Sequence, residues 1–402
     1  MTERPKDFDA IFLLAQVEHA GRHRGKALSL VQQAKQLAPA DPEVRQLEKR
    51  IHEQANFKMR TTASYAREIG QPSTFGNRSG TGIEDLRMFG FGTTFEFAFL
   101  PRTTSYLSFT YLPSNSPAGG IRGAAGPAQW LYMQDTQLTS RLTLRGGVGA
   151  VRFGPGGLQN VPQQSDPIPT EPIPTATIKA LGFAGVSYAP NRNYSLDLEG
   201  ARNAISYTPL SVRLGVMENR ASARLNYFLG SRTELHVEYF FATYSSIQYV
   251  HVWNVNSSPV RAYYADHDRA HGGTVTLIRN ILRGEHFRFD AGYEGMAYGF
   301  AGAGRQVWMG FFNPGFYQRH QLTTHLAGKL WRTVGYDFAG SIGLQQIEQG
   351  QALTRAMALS PTLTYRVNER LTLGLGYTHY NSAQTLGPLR GDAVRLTTEW
   401  SF

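Results

Sequence analysis

The last eleven residues, Asp392–Phe402, alternate without a break. Val394, Leu396, Thr398, Trp400 and Phe402 share one parity, and Arg395, Thr397, Glu399 and Ser401 share the other. Successive side chains of a β-strand point to opposite faces, so this stretch is a strand with one apolar and one charged face. It ends on an aromatic at the C-terminus, with a second aromatic two residues earlier. Chain ends fray unless something ties them down. A last strand that must pair with the first strand of a closed ring is tied down. An ordinary strand ending a soluble sheet has the same pattern, so the rest of the chain decides.

Composition narrows the choice. Charged residues make up 17% and aromatics 12%, with 42 Gly, 20 Tyr and 23 Phe, whereas soluble domains average about 25% charged. Little charge with much Tyr, Phe and Gly suits strands with one face in lipid and one in water. No run approaches the roughly 20 apolar residues of a spanning helix, which excludes helical insertion. Cys is absent, which rules out a disulfide framework and a thiolate metal site. The net charge of +10 comes from Lys and Arg scattered singly through strand patterns. No basic helix or Arg-rich run is present, so nucleic acid is not expected as a partner. Met1–Asp7 is polar and no apolar h-region follows it. An outer-membrane chain needs such a leader, and the expectation is that this sequence is the C-terminal piece of a longer precursor or the product of a truncated gene reading.

The pattern divides the chain into residues 1–55 and residues 56–402. In the first part, Ile11, Leu14, Ala15, Val17 and Ala20 recur at helical spacing, then Ala27, Leu28, Val31, Ala34 and Leu37 form a second stripe ending at Ala38-Pro39. Asp41-Pro42 starts a third helix, with Asp41 as N-cap and Pro42 in the first turn. In the second part, strands alternate with short turns and longer loops. The spacing predicts sixteen, at 57–68, 84–99, 103–112, 127–137, 139–153, 176–189, 194–205, 217–229, 232–246, 271–283, 285–299, 316–331, 333–346, 355–367, 369–381 and 391–402. Short connections such as Gly230-Ser231 and Asn368-Glu369 alternate with long ones at 113–126, 154–175, 247–270 and 300–315. An even strand number with short turns on one rim and long loops on the other predicts a sixteen-stranded, antiparallel, transmembrane outer-membrane β-barrel, mainly β, behind a short all-α segment.

Parity assigns the faces. Leu235, Val237, Tyr239 and Phe241 oppose Glu234, His236, Glu238 and Phe240; Leu196 and Leu198 oppose Asp197 and Glu199; Phe287, Phe289 and Tyr293 oppose Arg288, Asp290 and Glu294. A charge at mid-bilayer costs about 2–4 kcal/mol, so the charged face is expected to line the lumen. The lumen candidates are Arg60, Arg145, Asp197, Glu199, Arg224, Glu234, Glu238, Arg288, Asp290, Glu294, Arg395 and Glu399, a mixture of signs. Such a mixture suits a neutral hydrated polymer, or ion-pairs itself into a rigid wall. Aromatics crowd the long loops: Tyr249, Trp253, Tyr263, Tyr264, Trp308, Phe311 and Phe312. Sugar rings present apolar C–H faces that stack on aromatic rings, which makes these seven the sugar-contact candidates.

No G-x-S-x-G, H-E-x-x-H, P-loop or dinucleotide fingerprint occurs. His267 and His271 lie four apart but run from loop into strand. No catalytic residue, metal or cofactor is expected.

Several stretches carry a resemblance. Ala15, Ala27, Ala34 and Pro39 with Leu14 resemble the tetratricopeptide (TPR) repeat, whose usual Trp and Gly are replaced here by Ile11 and Ala15. The terminal Phe402, with Trp400, resembles the signal that the barrel-assembly machinery reads. Gly310-Phe311-Phe312-Asn313-Pro314-Gly315-Phe316-Tyr317 looks like a loop-to-strand segment of the porin family that serves bacterial cellulose synthase as its outer-membrane component, and Pro209–Val216 resembles another more loosely. That family joins a periplasmic TPR array to a sixteen-stranded outer-membrane barrel that exports cellulose for biofilm matrix. The resemblance implies an exopolysaccharide (glucan) chain as cargo and outer-membrane lipid as surroundings. It also implies synthase components in the periplasm and inner membrane that are reached through the TPR segment. The poly-N-acetylglucosamine and Pel porins share the architecture and remain alternatives, as does, from another class, an outer-membrane barrel hydrolase acting on lipid or glycan.

Overall fold

The computed structural model describes residues 8–20, 24–39, 41–53, 57–69, 85–100, 102–116, 121–124, 126–154, 177–191, 193–205, 211–212, 215–230, 232–245, 250–255, 258–263, 267–284, 287–302, 314–347, 349–381 and 390–402. Helices α1 (Phe8–Ala20), α2 (Arg24–Leu37) and α3 (Pro42–Glu53) come first. The small side chains of Ala15, Ala27 and Ala34 let α1 and α2 approach closely, and Val31, Val44, Leu47 and Ile51 complete a buried core. Asp41 caps α3, its Oδ1 accepting from the Glu43 and Val44 amides at 2.7 and 3.3 Å. The expected stripe on α1 is only partly buried. Leu14 and Val17 are exposed, and Phe8 and Phe12 pack on the core instead. On α2, Leu37 is exposed as well.

Sixteen strands form the barrel: β1 (Lys58–Ile69), β2 (Asp85–Leu100), β3 (Thr103–Tyr111), β4 (Ala128–Gln137), β5 (Leu142–Phe153), β6 (Thr177–Tyr188), β7 (Tyr194–Ala204), β8 (Met217–Leu229), β9 (Thr233–Ser245), β10 (His267–Arg283), β11 (Phe287–Gly302), β12 (Tyr317–Lys329), β13 (Val334–Gln346), β14 (Thr354–Arg366), β15 (Leu371–Tyr380) and β16 (Arg390–Ser401). Each pairs antiparallel with its chain neighbours. β1 pairs with β16 from Lys58 opposite Ser401 to Ile69 opposite Arg390, which closes the ring. The fold is a closed, sixteen-stranded antiparallel transmembrane β-barrel behind three helices.

Two expected loops contain strands. Within 113–126, Ser114–Ser116 and Ile121–Ala124 pair with each other and extend onto β2. Within 247–270, Val250–Val255 pairs with Ser258–Tyr263, and β10 begins at His267 rather than 271. The extra length follows from pairing, because His267 already has Ser245 of β9 opposite it. Among the described residues three barrel ladders are irregular: β2–β3 shifts register between Phe97 and Leu100, β10–β11 shifts between Asn280 and Leu282, and between β14 and β15 the rungs jump from Leu359–His379 to Thr362–Gly376. Pro361 lies in that gap and has no N–H to give.

The apolar parity faces outward. Val148 and Leu322 are 68% and 63% exposed, a degree of exposure that suits lipid. Aromatics cluster near both rims on this face, with Tyr65 and Phe89 rings 5.0 Å apart at the long-loop end and Phe57, Phe95 and Phe402 at the short-turn end. The Phe402 amide donates to Phe57 O at 2.9 Å and its ring lies 5.5 Å from that of Phe57. The C-terminal residue thus meets the chain where it passes from α3 into β1.

The helices are tied to the short-turn rim by Lys49 Nζ, 2.6 Å from Glu369 Oε1 in the β14–β15 turn. The Lys49 ammonium holds the Glu369 carboxyl below the usual carboxylate range. A depressed native value stabilises above the unfolded-state value, about 4.3 for Glu, and that contribution disappears as pH falls through the native value. Lysine-to-glutamine substitution at Lys49, or acidification through this range, should lower amide protection factors in α3, measured against the intrinsic rate at each pH, and leave those of the barrel unchanged. Phe402→Ala should lower the yield of heat-modifiable, membrane-inserted barrel while the helical circular-dichroism signal of α1–α3 persists. Wild-type insertion of that variant would remove the role given to the terminal aromatic.

Candidate functional site

The inner face of the barrel is polar because alternation places every second side chain there. Within it, charges are gathered into hydrogen-bonded groups. Glu238 on β9 accepts from Arg224 Nε at 2.9 Å and from Arg220 Nη2 at 2.8 Å, both on β8. Arg220 also lies 4.0 Å over the Phe240 ring. Asp197 accepts from Asn226 at 2.8 Å; Asn226 Oδ1 is 2.7 Å from His236 Nδ1, and His236 Nε2 is 3.4 Å from Glu234. Asp290, 3% exposed, accepts from Asn280 at 2.7 Å and pairs with Arg288 at 2.7 Å. His325 bridges Asp290 at 3.4 Å and Asp337 at 2.8 Å. Glu294 accepts from Arg319 at 2.8 Å and Gln321 at 2.9 Å. At the seam, Arg60 Nη2 donates to Glu399 at 2.7 Å.

The twelve lumen candidates all fall on this parity, and the structure pairs six of them directly: Arg224 with Glu238, Arg288 with Asp290, Arg60 with Glu399. Asp197, Glu234 and Glu294 are met by Asn226, His236 and Arg319, residues outside the candidate set. Arg145 lies opposite Asp135, Glu199 opposite Ser222, and Arg395 opposite Ser64 and Gly376. Tyr249, Tyr264, Trp308, Phe311 and Phe312 lie outside the described residues, as do the side chains of Trp253 and Tyr263.

A second set of aromatics lies on the inner wall itself. Phe240 and Tyr244 on β9, Tyr298 and Phe300 on β11 and Tyr317 on β12 have inward parity. Phe240–Tyr298, Tyr298–Tyr317, Tyr298–Phe300 and Tyr244–Phe300 centroids are 6.4, 5.0, 6.1 and 5.2 Å apart. Gly272 on β10 makes this possible, because a Cβ there would strike Tyr298. Phe240 and Tyr298 are half-buried and face the bore, while Tyr244, Phe300 and Tyr317 are buried beside them. The signal was present in the sequence: aromatics sharing the parity of Glu234 and Glu238 on β9, and of Asp290 and Glu294 on β11.

Two further features shape the bore. The Gly215 and Val216 amides donate to Val212 O at 3.1 Å and Ser211 O at 3.0 Å, with Gly215 at φ 57°. Gly215 is held against β6 by Lys179 Nζ on its carbonyl O at 2.7 Å. Val212 packs with Val151, Phe153 and Leu181, residues of inner parity. On either side of the β1–β16 seam, β2 and β15 have Gly90, Gly92, Gly374 and Gly376 at inward parity, which sets the wall back beside Arg60, Arg395 and Glu399.

Glu238 is 16% exposed and serves two guanidinium groups. Glu238→Gln leaves both on a neutral acceptor, and a loss of about 1–2 kcal/mol is expected in denaturant unfolding from liposomes. Arg224→Gln, at the more exposed partner, should cost less.

No protein-family model matches the chain, and no curated protein sequence matches it. Among solved structures, it is similar to a bacterial polysaccharide outer membrane secretin, with 13% identity, TM-score 0.58, and 87% of this chain aligned to 99% of that one. OmpT, an outer membrane protein of Vibrio cholerae, aligns over 86% of this chain and 97% of that one at 7% identity and TM-score 0.40. A Pseudomonas aeruginosa FadL homologue aligns over 86% and 90% at 11% identity and TM-score 0.40. The fold is that of outer-membrane β-barrels.

Proposed function

We propose that this barrel conducts an exopolysaccharide, cellulose or a related glucan, from the periplasm to the cell surface. The observation that carries the reading is the run of inward aromatics on β9, β11 and β12 beside hydrogen-bonded groups of both charge signs. A neutral polymer has no charge for a single-sign pore to select. It does have C–H faces for Phe240 and Tyr298, and hydroxyls for the carboxylates, guanidinium groups and amides of the wall. Because the charges already satisfy one another, each contact with the cargo is weak and exchangeable, and the chain slides without a deep well. The polysaccharide secretin's fold supports this reading.

The short-turn rim, with α1–α3 beside it, faces the periplasm in this reading, and the long loops face outward. The helices lie where synthase components would approach, and the Asp392–Phe402 strand meets the barrel-assembly machinery during insertion. Transport is passive and uncatalysed. A cationic polymer such as partly deacetylated poly-N-acetylglucosamine would favour an acidic bore, which this mixed wall is not.

Liposomes containing the full chain, with and without deletion of residues 303–310, test the reading by release of labelled cello-oligosaccharides. Tyr298→Ala with Phe240→Ala should slow glucan release about tenfold, the loss of ~1.4 kcal/mol of stacking, while ion conductance stays level or rises. Equal slowing of ions and sugar, or sugar release indifferent to both rings, would contradict it.

A further inference from the structure

The outward face carries a feature that transport does not use. At the long-loop rim, just beyond the apolar band, arginines of outward parity recur around the barrel. Arg67 on β1, Arg87 on β2 and Arg390 on β16 are contiguous across the seam, Arg67 lying opposite Arg87 and Ile69 opposite Arg390. Arg152, Arg202, Arg269 and Arg355 continue the row on β5, β7, β10 and β14, each within two residues of its strand end. Their parity is fixed by exposed apolar neighbours two or four residues along the same strands, such as Tyr65, Phe89, Val148 and Val394.

Among the described residues of outward parity on this rim, the acids are Asp85 and Asp392. Asp85 receives Arg67 at 2.9 Å and Arg87 at 2.9 Å; Asp392 receives His379 at 2.8 Å and Tyr377 at 2.6 Å. Seven cations therefore face two anions. The bonds to Asp85 fix the two guanidinium planes, whose side chains remain 46% and 44% exposed. A guanidinium held by one carboxylate still has N–H groups directed elsewhere, and its planar fork matches phosphate. Directly below lie the Tyr65–Phe89 pair, Tyr377 and Val394, an apolar surface suited to acyl chains.

We infer that the Arg67–Arg87–Arg390 cluster binds the phosphorylated saccharide of the outer-leaflet glycolipid, lipid A, with its acyl chains lying on the aromatic and aliphatic surface beneath. The row at the other strands extends the same contact around the ring. The inference rests on the reading that the long-loop rim faces outward. Phosphates set where a glycolipid's sugar meets its acyl chains fall at the height of the arginines when the acyl chains cover the apolar band. Phospholipid phosphates on the opposite leaflet would meet the other rim.

The test uses the full chain, refolded in lipid-free detergent and titrated with bis-phosphorylated lipid A, dephosphorylated lipid A and inorganic phosphate, with thermal unfolding as readout. Bis-phosphorylated lipid A should raise the midpoint at concentrations about tenfold lower than the dephosphorylated form, since the charge-assisted contacts are lost with the phosphates. Arg67→Gln/Arg87→Gln/Arg390→Gln should abolish that difference. Heat-modifiable mobility checks that the triple variant folds, and Arg390→Gln alone, expected to narrow the difference, serves if it does not. Equal potency of the two lipids, full competition by inorganic phosphate, or an unaffected variant would overturn the inference. Oligosaccharide release from liposomes separates the two ideas. A variant that loses lipid A discrimination should release sugar normally, whereas a barrel that discriminates lipid A yet passes no sugar contradicts export alone.

Discussion

Hydrocarbon offers no hydrogen bond to a backbone amide, so a strand that enters a membrane must find all its partners in protein. The pairing of β1 with β16 meets that requirement for this chain. Without those twelve rungs, from Lys58–Ser401 to Ile69–Arg390, two strand edges would stand open to lipid, each with a row of unmet donors and acceptors. Everything else is arranged around closure. The even strand number returns the C-terminus to the rim where the helices enter. The Phe402 ring packs at a tilt against Phe57 at the joint, and Arg60 pairs with Glu399 on the inner side of the same seam. The order also carries a topological cost, because the pairing that completes the fold joins residues more than three hundred positions apart, with a correspondingly large loop to close.

Closure creates an interior that must be polar and yet not sticky. Sixteen strands enclose too wide a space for side chains to fill, so the wall remains wet and its charges stay solvated. Pairing them laterally, along the wall rather than across the bore, removes the strong single-sign field that would trap an ion. The Glu238, Asp290 and Glu294 groups each follow this rule, with carboxylate and guanidinium on the same or adjacent strands. What remains exposed to a passing molecule is a mosaic of partly satisfied polar groups and, on β9 and β11, aromatic faces.

Much of this was legible in residue order. Alternation on strands such as Leu235–Phe241 gives both the strand and its faces, and turn residues such as Gly230 mark the short connections. The inward parity of the charged residues follows from the same arithmetic, since moving a charge to the lipid side costs kilocalories. Other features depended on the third dimension. His325 bridges Asp290 and Asp337 from three strands, which no local spacing encodes. The pairing of Val250–Val255 with Ser258–Tyr263 is a backbone contact within a stretch whose length reads as a loop between two longer strands. Of the inner aromatics, Phe240 was legible because it shares the parity of Glu234 and Glu238, whereas Tyr298 was missed because a Tyr in a barrel strand is expected in the lipid girdle and only its parity distinguishes it. The helices show the reverse case: a legible stripe on α1 is only partly used, since Ala15 and Ile11 meet the core while Leu14 and Val17 are exposed.

The glycines of β2 and β15 have a consequence for what the bore can admit. At Gly92 and Gly374 an added Cβ would meet its nearest neighbours at 3.7 and 3.6 Å, ordinary contact distances, and neither backbone needs a left-handed conformation. The sheet itself does not require glycine at these two positions. What the missing side chains provide is clearance on either side of the seam, where Arg60, Arg395 and Glu399 project between the two glycine strands. The inner wall is therefore uneven in depth: set back at the glycines of β2 and β15, and built out by the charged side chains of the two strands that close the ring.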